Sequence, residues 1–145
     1  RKLSSTSISA RPATTKRTVT DKLIQRLRST RSTLNPQGMV RVSLYRDGNG
    51  RVCGFHCSGH AGFAESGSDI ICAAVSALTM TAVNSIETFT SDQFSYKEDE
   101  KDGIMDFRIS SDLSDQSELL LRAMVLGLSG IEEAYGRKYI RVSET

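Results

Sequence analysis

The stretch Gly67-Ser68-Asp69-Ile70-Ile71-Cys72-Ala73-Ala74-Val75-Ser76 decides the fold, because it opens a long apolar helix directly after a glycine-bearing loop. Apolar residues continue at three- and four-residue spacing as far as Phe89, which is typical of a helix with one buried face. The predicted core stripe is Ile71, Val75, Leu78, Ala82, Ile86 and Phe89. Asp69 or Ser68 is the expected N-cap, which places Cys72 in the first turn. There, unpaired backbone N–H groups and the positive end of the helix dipole stabilise a thiolate.

Before this helix, the sequence predicts two strands joined by a tight turn. Apolar and polar residues alternate over 40–45, and a second strand is expected over about residues 51–58. Asp47-Gly48-Asn49-Gly50 between them is a strong hairpin turn. In the second strand, one face is predicted to hold Cys53, Phe55 and Cys57, and the other Val52, Gly54 and His56.

After the helix, two short strands are predicted over residues 94–97 and 104–109, around a charged turn. A second helix begins in the capping-box-like sequence Ser114-Asp115-Gln116-Ser117-Glu118 and ends at Gly136. Residues 139–142 could add an edge strand. The order strand-strand-helix-strand-strand-helix predicts an α+β two-layer sandwich with an antiparallel or mixed sheet.

The second helix is apolar on more than one face. One stripe holds Leu120, Met124, Gly127, Ile131 and Ala134, and a second beside it holds Leu121, Val125 and Leu128. A single sheet face cannot cover both stripes. A homodimer formed through this helix is one explanation, and a buried groove between the layers is the other.

Charge divides the chain at Met39. Residues 1–38 hold nine Lys and Arg residues against Asp21 alone, a net charge of +8, whereas residues 39–145 carry −6. The first segment is rich in Ser, Thr and Arg, and we expect it to be mostly disordered. Three origins stay open for it: cloning or upstream translated sequence before a start at Met39, an organellar transit peptide, or a basic arm that binds RNA. The folded domain is expected over residues 39–145.

The cysteines indicate free thiols in a reducing compartment, since three of them cannot all pair and none forms a Cys-x-x-Cys. Cys53 and Cys57 are interpreted as packing residues, and His56 as an ordinary strand residue that faces solvent. Structural zinc, with ligands drawn from Cys53, His56, Cys57, His60 and Cys72, is disfavoured because strand alternation separates the candidates. No metal and no cofactor are expected. No uninterrupted run of eighteen apolar residues occurs, so no membrane span is expected either.

The loop Gly59-His60-Ala61-Gly62 brings a histidine within reach of the helix start. A cysteine in the first turn of this helix, with the histidine beside it, would form a nucleophile and its base. A buried structural cysteine and an exposed loop histidine are the alternative interpretation of the same two residues. Together with Gly67 to Ser76, this loop strongly resembles the ribosomal-processing cysteine protease family called Prp. The resemblance covers about Met39 to Ser143 and includes Gly130-Ile131-Glu132-Glu133-Ala134-Tyr135-Gly136.

The resemblance implies a cytoplasmic, homodimeric bacterial endopeptidase with Cys72 as nucleophile and His60 as the histidine. Its substrate would be the N-terminal extension of large-subunit ribosomal protein number twenty-seven, cut in support of ribosome assembly. The acidic domain would attract a basic ribosomal protein through long-range electrostatics, and no direct nucleic-acid contact is expected from it.

Supporting roles are expected for Asp69 as helix cap or loop orienter, for Gly59 and Gly67 in the mobile loop, and for Ser76. The hydroxyl of Ser76 either bonds the Cys72 sulfur or bonds back to its own helix. Two other functions stay open: a non-catalytic ribosome-associated binding module, and a thiol redox protein that pairs Cys72 with Cys57 or Cys53.

Overall fold

The computed structural model describes residues 39–59, 70–99 and 103–144, which form five strands and two helices. In chain order these are β1 (Val40–Arg46), β2 (Val52–Ser58), α1 (Ile70–Phe89), β3 (Phe94–Asp99), β4 (Ile104–Ile109), α2 (Asp115–Tyr135) and β5 (Ile140–Glu144). The predicted α+β class and element order are confirmed, and so is the C-terminal edge strand.

The five strands form one mixed sheet in the order β3-β4-β2-β1-β5. All neighbours are antiparallel except β1 and β5, which run parallel. The central strands supply the fully buried side chains of Val42, Phe55 and Phe107, and the rings of Phe55 and Phe107 stack with centroids 5.7 Å apart. Both helices cover this face of the sheet, and the opposite side, which we call the outer face, is polar.

The predicted hairpin turn between β1 and β2 is confirmed. The Asp47 carboxylate accepts hydrogen bonds from the backbone N–H groups of Asn49 and Arg51 at 2.8 and 2.9 Å. Gly50 adopts a φ of +80°, a conformation that glycine takes without steric cost.

A β-bulge in β2 overturns the predicted division of this strand into two faces. Tyr45 pairs with Gly54, but the next residue, Arg46, pairs with Val52, so Cys53 is the extra residue. Val52 therefore belongs to the core and is 2% exposed, while Cys53 is only half-buried. The prediction that Cys53 shares a face with Phe55 is wrong because the bulge reverses the alternation at this point.

Helix α1 packs mainly as its apolar spacing predicts. Its buried residues are Ile71, Cys72, Val75, Thr79, Ala82, Val83 and Ile86. Two residues of the predicted stripe differ: Leu78 is only half-buried, and Phe89 ends the helix with 74% of its surface exposed. By length and composition alone, α1 could cross a membrane, but the core helix of a globular protein meets the same test, and α1 buries one face in the core.

Helix α2 begins and ends as predicted. Ser114 is the N-cap, and its hydroxyl accepts the backbone N–H of Ser117 at 3.1 Å. The carboxylate of Asp92 accepts the backbone N–H of Ser114 at 3.0 Å, which completes the cap from outside the helix. At the other end, the N–H of Gly136 donates to the carbonyl of Glu132 at 2.8 Å.

The two predicted stripes of α2 merge into one core face. Leu121, Met124 and Leu128 are buried there, while Leu120 and Val125 are half-buried. Gly127 allows α1 to come close: a Cβ at this position would lie 2.9 Å from both methyl carbons of Leu78. The apolar residues left uncovered are Leu119 and Leu126, which neither predicted stripe contained.

Four side chains form a polar cluster on the outer face: Tyr45, His56, Asp106 and Arg108. The Tyr45 hydroxyl donates a hydrogen bond to Asp106, and His56 Nδ1 lies 3.1 Å from the same carboxylate oxygen. The Arg108 guanidinium lies over the Tyr45 ring, 3.8 Å from its centroid. Burial alone would raise the pKa of Asp106, but the contacts with Tyr45 and His56 outweigh burial and leave this pKa below its ordinary value.

The lowered pKa of Asp106 predicts a stability change in acid. Ionised Asp106 stabilises the folded protein above its unfolded pKa of about 3.9, and this contribution is lost as the pH falls through the lower folded pKa. Asp106→Asn should cost about 1 kcal/mol of unfolding free energy at pH 7, and the difference from wild type should shrink below about pH 4. Urea unfolding between pH 3 and 7 measures both quantities. Asp112→Asn, an exposed loop change, is the control, and a constant difference at every pH would contradict the assignment.

Candidate active site

Cys72 is the third residue of α1, in the first helical turn where the sequence predicted it. No acidic residue occupies this turn, so no carboxylate within it opposes a thiolate. The side chain is 9% exposed and belongs to the core cluster. The first turn of a helix is where backbone N–H groups and the positive dipole end favour the anionic form of a cysteine.

Gly59 ends the neighbouring strand in a tightly constrained position. Its φ is +85°, its N–H donates to the carbonyl of Gly103 at 3.0 Å, and a Cβ on it would lie 2.5 Å from the carbonyl oxygen of Met39. The end of β2 is therefore fixed between the start of β1 and the residue that precedes β4. His60 is the next residue in the chain.

Several predicted site residues lie outside the described residues: His60, Gly67 and Asp69. Their proposed roles stay predictions. Ser76, one turn after Cys72, is half-buried, and its backbone carbonyl accepts the Thr79 hydroxyl at 3.3 Å. Both alternatives for the Ser76 hydroxyl, a hydrogen bond to the Cys72 sulfur or one back to its own helix, stay predictions.

Cys57 lies in the same part of the core as Cys72. It is fully buried on β2, two residues before Gly59. Burial and the charge of the nearby Cys72 raise the pKa of Cys57 to about 12. The Cys57 thiol therefore stays protonated at neutral pH and is a poor nucleophile, which supports its interpretation as a packing residue.

Cys53 lies in the β2 bulge, and His56 lies on the outer face of the sheet. Burial raises the pKa of Cys53, and the Arg108 guanidinium opposes that rise. His56 contacts Asp106 on the outer face, which confirms its prediction as a solvent-facing strand residue. Within residues 39–59, 70–99 and 103–144, no group of three or more His, Cys, Asp and Glu side chains could hold a metal ion.

Two features of this site were not predicted from the sequence. One is the nearness of Cys57 to Cys72, which was considered only in the thiol-redox alternative, because it depends on how β2 passes α1 and leaves no local pattern. The other is the outer-face cluster around Asp106, which depends on strand pairing. Gly54 could have indicated the irregularity of β2 from the sequence, since a glycine inside a strand often marks a bulge or a close backbone approach. A Cβ on Gly54 would lie 2.3 Å from the Phe107 carbonyl oxygen.

Comparison with known proteins gives consistent results. Residues 39–141 match the family described as Cysteine protease Prp. The ribosomal processing cysteine protease Prp of Staphylococcus aureus (strain Mu50) is 33% identical over 97 residues, which are 67% of this chain and 92% of the relative. The Prp of Bacillus subtilis (strain 168) is 29% identical over 101 residues, covering 67% of this chain and 90% of the relative.

Solved structures show the same fold. The S. aureus ribosomal processing protease Prp in complex with a substrate peptide superposes with a TM-score of 0.67 at 31% identity, covering 74% of this chain and all of that one. A protein from Streptococcus mutans superposes with a TM-score of 0.65 at 29% identity, covering 74% and 98%.

The match to these cysteine proteases identifies the chain as a cysteine endopeptidase. The chain belongs to the Cysteine protease Prp family.

Gly59 offers a test of the geometry at the strand end. Gly59→Ala should lower the unfolding free energy by at least about 2 kcal/mol, because a side chain is disfavoured at this φ and its Cβ would clash with backbone. Gly48→Ala is the matched control, since nothing lies within 4 Å of a Cβ there. Chemical denaturation of both variants measures the difference. Equal stability of the two would show that β2 does not end as described.

Proposed function

We propose that this endopeptidase removes the N-terminal extension of large-subunit ribosomal protein number twenty-seven in the cytoplasm, and so supports ribosome assembly. The observation that carries the proposal is Cys72 in the first turn of α1 in a chain whose family match spans residues 39–141. The relatives are named ribosomal processing proteases, and the S. aureus protein has been solved with a substrate peptide and with a covalently linked product peptide. A covalent link to the peptide is what a cysteine nucleophile forms.

In the proposed mechanism, Cys72 is the nucleophile and His60 the general base. His60 takes the proton of the Cys72 thiol, and the thiolate attacks the scissile carbonyl carbon. His60 then gives the proton to the leaving amine, which leaves a thioester on Cys72. Water, deprotonated by His60, hydrolyses the thioester and releases the second product.

The start of α1 would stabilise the charge that develops on the substrate. Backbone N–H groups in the first turn are unpaired within a helix, so they can donate to the carbonyl oxygen as it becomes an oxyanion. The segment from Gly59 to Ser68 could add further donors. Asp69 would cap the helix or orient that segment. It is not assigned as the base, because its charge would oppose a thiolate at Cys72.

The charge of the domain fits a basic substrate. Residues 39–145 carry a net charge of −6, and ribosomal proteins are basic as a class. Long-range attraction between opposite charges raises the rate of encounter, and the effect falls with ionic strength. The acidic domain would therefore favour the proposed substrate over neutral peptides at low salt.

Cleavage of a peptide that spans the extension junction of this ribosomal protein tests the proposal. Wild type should make one defined cut, and Cys72→Ala should make none, because the covalent step is lost. His60→Gln should lower kcat/KM by about 10²- to 10⁴-fold, the usual contribution of a general acid and base. Mass spectrometry identifies the cut and its rate.

Two matched controls make this test specific. Cys53→Ala removes a half-buried thiol outside the proposed site, and His56→Gln changes the only other histidine of the chain. Both should cut nearly as fast as wild type. No cut by folded wild type would favour the binding module over the protease, and equal cutting by Cys72→Ala would show that another nucleophile acts.

We also propose that the protein is a homodimer joined through α2. Leu119 and Leu126 are 62% and 60% exposed and lie two turns apart on one face. They border an open groove of about 550 Å³. Its other lining residues are Arg46, Val52, Glu118, Arg122, Ala123, Val125 and Ser129. Apolar residues exposed together in this way are typical of an interface, and a two-fold axis would bury the same patch on both copies.

Leu126→Glu should separate the dimer. A leucine loses about 2 kcal/mol when it leaves an interface, and two-fold symmetry doubles the loss, so the dimer Kd should rise by about a hundredfold or more. Light scattering after size exclusion measures the mass over a range of concentrations. Phe89→Glu is the control, because Phe89 is also exposed but lies on α1 outside the groove. A dimer that survives Leu126→Glu would place the interface elsewhere.

A further inference from the structure

The outer face of the sheet concentrates positive charge within an acidic domain. Strand alternation and register place four exposed cationic side chains on it: Arg41, Lys97, Arg108 and Arg141. Among the described strand residues, the carboxylates that share this face are Asp99 and Asp106. The described strand residues of the outer face thus carry about +2, whereas the sequence of residues 39–145 carries −6. The negative net charge of the domain therefore does not indicate that one face of its sheet is positive.

Two of these cations are direct neighbours. Arg41 on β1 and Arg141 on β5 are Cα partners in the parallel pairing of the two strands, and both are exposed. Like charges at facing positions of a sheet destabilise it. In the part of the chain that the structure describes, neither arginine forms an ion pair. An anion bound between the two side chains would remove their repulsion.

A flat cationic platform lies further along the same face. The Arg108 guanidinium lies over the Tyr45 ring, which is held in place by its hydrogen bond to Asp106. Gly54 has no side chain to separate them, since a Cβ there would lie 3.1 Å from the Tyr45 ring. Arg108 is exposed, so a ligand in solution can reach its guanidinium group. Guanidinium planes of this kind stack on unpaired nucleic-acid bases.

We propose that the outer face binds single-stranded RNA. Phosphate groups would bind to Arg41 and Arg141, and a base would stack on Arg108. Tyr45 is four residues from Arg41 along β1, which is about 13 Å in a strand. The proposal departs from the expectation that the acidic domain has no direct nucleic-acid contact, because that expectation considered only the net charge.

Other partners fit this face less well. A basic ribosomal protein would be repelled by the four cations. A membrane surface normally needs exposed apolar side chains for insertion. The large apolar residues exposed among the described ones are Ile70, Phe89, Leu119 and Leu126, all of which belong to the helices. RNA uses what the outer face offers, namely cations for phosphates and a planar group for a base.

Fluorescence anisotropy of a labelled single-stranded RNA oligonucleotide tests the proposal on the full chain. The variant is Arg41→Gln with Arg141→Gln, which removes two cations and leaves residues 1–38 unchanged. The slope of log affinity against log salt should become shallower by about 1.4, because each single-strand phosphate contact contributes about 0.7. The matched control, Arg137→Gln with Lys138→Gln, removes two exposed cations just after α2 and should keep the wild-type slope.

A second variant tests the platform separately from charge. Arg108→Lys keeps the positive charge but loses the planar group. RNA affinity should therefore fall by about tenfold, which is the usual effect of losing the stacking of one base. Binding of inorganic polyphosphate, which has charge but no bases, should not change. The proposal is overturned if both double variants change the slope equally, if Arg108→Lys weakens RNA and polyphosphate alike, or if the wild type prefers anionic vesicles to RNA. None of these measurements depends on peptide cleavage, which is assayed separately.

Discussion

Burial of one face of α1 against the central strands holds the rest of the structure in place. Ile71, Val75 and Ile86 are at most 5% exposed, and each such side chain contributes about 1.5–3 kcal/mol when it is removed from water. Together they account for a free energy comparable to the net stability of a small domain. The helix therefore cannot turn about its axis without unfolding. Because Cys72 is fixed to that helix, the same burial sets the position of the sulfur.

The candidate site combines this rigid helix start with a constrained strand end. Gly59 is held by backbone contacts to Met39 and Gly103, so three strands converge where β2 stops. Catalytic groups work best when the scaffold determines their positions and only the connecting segment adapts to substrate. Cys72 and Gly59 satisfy the first condition. His60, the predicted base, follows Gly59 directly in the sequence, and Cys72 lies in the first turn of α1.

Local patterns predicted most of the fold, because helix periodicity, turn chemistry and capping act over a few residues. The Asp47 turn, the Ser114 cap and the Gly136 helix end are all of this kind. The predictions that failed depended on contacts between distant segments. The bulge at Cys53 is one such feature, since an extra residue in one strand is defined only by its partner strand. Phe89 matched the helical spacing, but it is the last residue of α1 and is 74% exposed.

The placement of Cys72 was predictable for the same reason, because a helix start has a local signature. The outer-face cluster was not, since Tyr45, His56 and Asp106 come from three strands and meet only through pairing. The distribution of charge over the two faces of the sheet also depends on strand pairing. A sum over the sequence gives −6 for residues 39–145, but alternation in the strands decides which side each charge occupies.

The three cysteines show how environment separates residues of one chemical type. Cys57 is enclosed by the core, where burial favours the neutral thiol and its pKa rises to about 12. Cys53 is carried off the core face by the bulge, and burial raises its pKa as well. Cys72 is also largely buried, but it alone of the three lies in the first turn of a helix, a position whose backbone dipoles favour an anion. A cysteine nucleophile needs an ionised sulfur, and Cys72 is the one of the three described cysteines that lies at a helix start, which is why the proposed mechanism assigns the nucleophile to it.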